Sequence, residues 1–207
     1  MKKNLGLGVV ALLASFLFVA SAWSVEITPD RLVEETVKEV LEIIENDEDI
    51  KGADKERILD LVESKILPHF NFTRMTQLAM GRHWSKAETS QQTVLVDEFR
   101  TLLVRTYSNA LSSYRDETVQ VHQIKNLGDR EDVTVRTVII QGSGKQPVPI
   151  DYSMEKKSDG WKVYDVTVAG VSLVTNYRSS FTSQIRRGGV DGLIKTLVDR
   201  NKALEGK

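Results

Sequence analysis

Between residues 29 and 114, apolar side chains recur every three or four positions; beyond Asp116 they recur every two. The first spacing lines one face of a helix and the second one face of a strand. Thr28-Pro29 reads as a cap followed by proline in the first turn. Leu32, Val33, Val37, Val40, Leu41 and Ile44 then make an apolar stripe, and Glu34, Glu35, Glu39, Glu42 and Glu45 between them make a solvated face. Residues 46–54 are polar and contain Gly52, which predicts a loop. Ile58, Leu59, Leu61, Val62, Ile66 and Leu67 mark a second helix ending near Pro68. Phe70, Phe72, Met75, Leu78, Ala79 and Trp84 predict a shorter helix with inward aromatic bulk. The longest stripe runs over residues 90–114, through Val94, Leu95, Phe99, Leu102, Leu103, Tyr107, Ala110, Leu111 and Tyr114.

Four strands follow. Val119 and Val121 open the first; Val133, Val135, Thr137 and Ile139 share a face in the second; Val148, Ile150, Tyr152 and Met154 do so in the third. Trp161 through Val168 forms the fourth, after a turn at Ser158-Asp159-Gly160. Short connections predict antiparallel neighbours. Helical spacing returns behind Ser172, a cap, with Leu173, Val174, Tyr177, Phe181 and Ile185, and Gly188-Gly189 predicts a stop before a last amphipathic helix. Helices, a strand meander and helices again predict one α+β domain, a helical layer on a four-stranded antiparallel sheet.

Three features narrow the function. Lys2 and Lys3 precede an apolar run from Leu5 to Ala20, and Ala20-Ser21-Ala22 is a small-x-small cleavage site before Trp23. That is the anatomy of a secretory signal, and the run is short of the about 20 residues a membrane-spanning helix needs. The expectation is a cleaved leader over residues 1–22 and a single domain over 23–207, released into solution. The chain has no cysteine, which removes disulfides, thiolate metal sites, cysteine nucleophiles and a lipid-modified N-terminus. It carries 28 basic and 29 acidic residues and becomes slightly more acidic once Lys2 and Lys3 leave with the leader. Sequence-independent nucleic-acid binding, which depends on phosphate neutralisation, is therefore not expected.

Catalytic and metal chemistry find little support. His69, His83 and His122 lie too far apart in sequence for a helical metal pair, and no nucleophile elbow or phosphate loop is present. Gly142-Ser143-Gly144 joins two predicted strands and reads as a hairpin connection. Asp165 is the one carboxylate worth weighing as a general base, with His122 as the other acid–base candidate. No catalytic residue, metal or cofactor is expected.

Two segments carry a family resemblance. The first is Phe70-Asn71-Phe72-Thr73-Arg74 through Ala79-Met80-Gly81-Arg82-His83-Trp84, continuing to Gln92, Phe99, Leu102-Leu103, Tyr107 and Leu111. The second is Trp161-Lys162-Val163-Tyr164-Asp165-Val166, then Gly170-Val171-Ser172-Leu173-Val174, Asn176-Tyr177-Arg178 and Phe181. Together they resemble the MlaC family, also described as toluene-tolerance auxiliary proteins, with Met80 in place of an expected leucine, a tolerable swap. The resemblance implies an NTF2-like fold whose apolar pocket shelters the acyl chains of a glycerophospholipid. It also implies a periplasmic carrier between membranes that maintains outer-membrane lipid asymmetry. Its implied partners are phospholipid as cargo, the MCE-domain subunit of an inner-membrane ABC transporter, and an outer-membrane lipoprotein–porin complex.

The expected acyl lining combines Phe99, Leu103, Tyr107 and Leu111 from the long helix with Val135, Ile150, Tyr152 and Met154 from the sheet. Tyr164, Val166, Val168, Val171, Leu173 and Tyr177 form a second set. Periodicity by itself describes apolar faces, which ordinarily meet as a filled core. Two other readings thus stay open: an enzyme of the same fold using Asp165 or His122, and an interaction module with a solid interior.

Overall fold

Proline at the first position starts α1 (Pro29–Asn46), a single apolar-faced helix. Thr28 caps it through its backbone, the Leu32 N–H donating to the Thr28 carbonyl, and makes no side-chain cap bond. The structure, a computed structural model, describes residues 27–112, 117–142 and 144–205. The proposed leader and cleavage site, the Tyr114 end of the long stripe, and Ser143 lie outside those residues.

The segment read as a loop contains a helical turn. Asp47 ends α1 in an extended conformation, and its carboxylate accepts the N–H groups of Asp49 and Ile50, starting α2 (Glu48–Lys51). Asp54 caps α3 (Lys55–Leu61) in the same way. The chain then tightens through a π turn (Val62–Ile66) and a 3-10 turn (Leu67–His69), where Pro68 prevents further helix. Asn71 caps α4 (Phe72–Met80), a 3-10 stretch covers Gly81–Lys86, and a Glu88/Gln91 capping box opens α5 (Thr89–Tyr107). A short α6 (Asn109–Ser112) follows.

The sheet has five strands among the described residues: β1 (Thr118–Val121), β2 (Asp132–Ile140), β3 (Val148–Lys157), β4 (Gly160–Val168) and β5 (Val171–Ser172). They pair in chain order, every neighbour antiparallel. The expected count of four is therefore corrected to five. Ala169 (φ 48°) and Gly170 (φ 83°) make a two-residue turn that folds Val171-Ser172 back onto β4, and two residues are too few to show a period.

β4 carries one residue more than its partner. Ser153 faces Asp165 and Met154 faces Val163, so Tyr164 has no partner and forms a bulge. Val163 and Val166 consequently share a face although three positions apart, and both join the cluster of Val33, Val133, Val135, Met154 and Trp161. Tyr164 turns to the other face and packs against the helical core.

The last helix, α7 (Leu173–Glu205), is broken at Gly189, whose φ of 68° and ψ of −168° lie outside helical space. The predicted glycine stop is realised as this kink. α4, α5 and both halves of α7 enclose a filled core around Met75, Met80, Leu95, Phe99, Phe181, Leu193 and Leu197. Phe99 meets Tyr177 and Phe181 edge-on, each at 5.0 Å between ring centres. Separately, α1, α2 and α3 gather Val40, Ile44, Ile50, Ile58 and Leu61. The molecule thus has a solid helical half and a second half in which α1 spans the sheet.

Candidate functional site: an apolar cavity beneath the first helix

The second half encloses a cavity of about 590 Å³. Its roof is the α1 stripe: Leu32, Val33, Thr36, Val37, Val40, Leu41 and Ile44, spaced three and four apart so that one helix face looks inward. Its floor is the sheet, with Val119 from β1, Ile139 from β2, Ile150, Tyr152 and Met154 from β3, and Val163 from β4. The three β3 residues alternate by two, as one sheet face requires. Ile66, His69 and Phe70 close one end, and Ala110 and Leu111 of α6 contribute another wall. Polar groups are few: Thr36, His69, Glu117, Gln141 and the Tyr152 phenol.

Two titratable groups at the wall, His69 and Tyr152, are held toward their neutral forms. Burial, and then the nearby Lys162 ammonium, hold the His69 imidazole below its ordinary value, with Glu39 acting weakly the other way. Burial pushes the Tyr152 phenol up, against a smaller opposing effect of its hydrogen bond with Thr137. Both are uncharged at neutral pH. Such a surface offers dispersion contacts and exclusion of water to a hydrocarbon guest.

Asp165, the one candidate general base, is already engaged. Its carboxylate accepts the Ser172 hydroxyl at 2.5 Å and the Val174 N–H at 3.1 Å, while the Ser172 oxygen accepts the Thr175 N–H at 3.0 Å. Together they cap α7. His122 is exposed, and its backbone N–H pairs with Arg136. Among the described residues, no group of three or more His, Asp or Glu could hold a metal ion. No helix among them is long and apolar enough to cross a membrane.

Residues 34–199 match the family described as MlaC protein. The chain belongs to the MlaC family. It is 26% identical over 184 residues to the intermembrane phospholipid transport system binding protein MlaC of Haemophilus influenzae, covering 88% of this chain and 86% of that protein. It is also 26% identical over 192 residues to the toluene tolerance protein ttg2D of Pseudomonas putida, covering 92% and 86%. Among solved structures, it resembles the phospholipid-binding protein of Ralstonia solanacearum, determined in complex with a phospholipid. That likeness has a TM-score of 0.80 at 39% identity, covering 86% of this chain and 99% of the other.

Within this MlaC-family fold, the residues expected to line an acyl pocket separate into groups. Leu111, Ile150, Tyr152 and Met154 line the cavity. Val135 is fully buried just beyond them, and Val166 packs on the same cluster. Phe99, Leu103 and Tyr177 belong to the solid helical core instead. Tyr107 is 42% exposed and Val171 58% exposed. Val168 and Leu173 are half-buried beside the β4–β5 turn and are not among the lining residues, although Val168 is the cross-strand partner of Ile150, and Tyr164 is on the opposite sheet face. The α1 wall was not among the expected residues, nor was His69. Its stripe was legible as a helix face, but nothing in its spacing shows what that face covers.

Proposed function

We propose that this chain is a periplasmic phospholipid carrier that shelters acyl chains in the cavity between α1 and the sheet. The observation that carries the reading is the 590 Å³ apolar cavity in a member of a family whose Ralstonia relative is a phospholipid-binding protein in complex with a phospholipid. That volume falls in the ordinary range for ligand sites of about 300–1,000 Å³. A diacyl lipid has on the order of 30 methylenes, each costing about 0.8 kcal/mol to expose to water. Free diffusion across an aqueous gap is therefore prohibitive, and a sheltering wall removes most of that cost.

The carrier does no covalent chemistry; the charged headgroup stays in water while the chains lie under α1. It takes up lipid from, and gives it to, membrane complexes. Those complexes are an MCE-domain subunit of an inner-membrane ABC transporter and an outer-membrane lipoprotein–porin complex. The exchange serves outer-membrane lipid asymmetry. The leader over residues 1–22 is removed on export, leaving 23–207 as the working domain.

The test is the lipid content of protein purified from the periplasm, extracted with solvent and identified by mass spectrometry. Ile150→Glu places a charge on the cavity floor, where none of the described lining residues is a lysine or arginine, and an unpaired charge in an apolar site is strongly unfavourable. The expected result is a folded variant with little phospholipid, while Val171→Glu at an exposed turn keeps the wild-type load. A wild-type protein carrying no phospholipid, and acquiring none from vesicles, would end the carrier reading.

A further inference from the structure

The cavity does not end beneath α1. A groove of about 370 Å³ runs outside, along the seam between α1 and β1, and Val37, Leu41, Glu117 and Val119 line both spaces. β1 is an edge strand, hydrogen-bonded only to β2 within the sheet. At the seam the apolar lining of the cavity thus adjoins a surface groove.

α1 is also a single layer of structure. Its inner face roofs the cavity, and its outer face bears Glu34, Glu35, Lys38 and Glu42 in solvent. Polar ties reach it at its start, middle and end. Near its start, the Ile124 N–H donates to Asp30 at 3.2 Å; midway, Lys65 pairs with Glu39 at 2.5 Å across the gap to the π turn. At its end Asp47 leaves helical space and pairs with Arg57 at 2.7 Å, which marks a joint between α1 and α2. The helices of the other half instead interlock through aromatic rings.

We propose that phospholipid enters and leaves sideways, through the seam between α1 and β1, with α1 pivoting at Asp47 as the moving wall. This rests on the cavity being the lipid site. A lateral slot lets acyl chains slide in while the headgroup remains in water throughout, so no charged group crosses the apolar interior. An opening at one end of the cavity would require the chains to thread lengthwise. The Glu39–Lys65 pair acts as a latch on this motion.

The absence of native cysteine makes the test direct. Lys38→Cys and Thr118→Cys place thiols on opposite banks of the groove, on residues that line it from outside. The double variant, joined by a short bis-maleimide and verified by intact mass, is mixed with vesicles containing fluorescent phosphatidylglycerol. Expected are loss of lipid uptake in the linked form, normal uptake before linking, and retention of any lipid loaded beforehand. A linked Gln91→Cys/Asp191→Cys pair, bridging α5 and α7 where these side chains meet at 2.6 Å, exchanges normally. Lys65→Ala, which removes the latch without touching the cavity lining, speeds exchange by about two- to fivefold, the size of an exposed ion pair. Uptake by the linked seam as fast as by the unlinked protein would overturn the lateral route while leaving the carrier reading intact. Failure of the unmodified chain to take up lipid would instead overturn the carrier reading, and the route with it.

Discussion

Tyr164 is where the alternation of β4 breaks, and its neighbours explain why the break is tolerated. Its ring is stacked by the Arg74 guanidinium at 3.6 Å, and its hydroxyl donates to Asp132 at 2.6 Å. Arg74 also reaches Glu155 and Asp132, each at 2.7 Å, so Arg74 ties α4 to β2 and β3 around the bulged ring. Two other polar residues invite prediction. Asp165 accepts two donors at the start of α7, as a helix cap does. Asp165→Ala is expected to lower stability by about 1–2 kcal/mol, the cost of losing a helix cap. Denaturant titration measures this, and lipid content remains unchanged. His69 has a folded pKa held below its ordinary 6.5, chiefly by burial. Its neutral form favours folding, so the unfolded chain binds the extra proton, and stability rises with pH through that window. The contribution is complete above pH 6.5 and is lost as pH falls toward the folded value. His69→Gln should therefore flatten part of the decline in melting temperature between pH 7.5 and pH 5. An unchanged slope would mean that His69 is not held neutral at the cavity wall.

At the scale of elements, helices and strands announced themselves through their period, while the cavity did not. α1 and α5 both carry long apolar stripes, and a stripe shows that a face is covered without showing by what. The difference is in side-chain shape. Phe99, Tyr177 and Phe181 fill the space between α5 and α7 with interlocking rings. The α1 stripe has only aliphatic residues and Thr36, and it faces Ile139, Ile150 and Val163 across open volume. An aliphatic roof over a mainly aliphatic floor is the signal of the cavity, whereas the aromatic residues of α5 and α7 mark the filled core. The sheet was harder for another reason. A one-residue bulge inverts the faces after it, so Val163 and Val166 point together while Tyr164 points away. No single sequence reveals the bulge. The kink in α7 was readable, because Gly188-Gly189 marks it. With φ at 68° and ψ at −168°, Gly189 occupies a region nearly closed to other residues, although nothing lies within 4 Å of where a Cβ would stand. Gly189→Ala should thus cost about 1–3 kcal/mol of backbone strain without any clash. Chemical denaturation checks this, and an unchanged midpoint would show that the kink is not needed.

The whole molecule divides its stability unevenly. Rings and methionines pack the α4–α5–α7 half to a solid interior, whereas the α1–sheet half surrounds a space with apolar walls. Empty space forfeits dispersion contacts that a filled core retains. A guest that fills it should therefore stabilise one half more than the other. Binding to the native state alone contributes RT ln(1 + [L]/Kd), about 2.7 kcal/mol at a hundredfold excess over Kd. For a domain of this size each kcal/mol raises the melting point by about 2–4 °C. Delipidated protein given phospholipid should then melt about 5–10 °C higher, which calorimetry reads directly. The location of the gain is the sharper criterion. Amide hydrogen exchange should slow most in α1, whose inner face would lie against the chains, and in β3, which supplies Ile150, Tyr152 and Met154 to the floor. Amides of α5 around Phe99, already enclosed, should change little below the limit set by global unfolding. Protection appearing equally in both halves would point to a general effect on the unfolded chain. Protection concentrated in α5 and α7 would move the lipid away from α1 altogether.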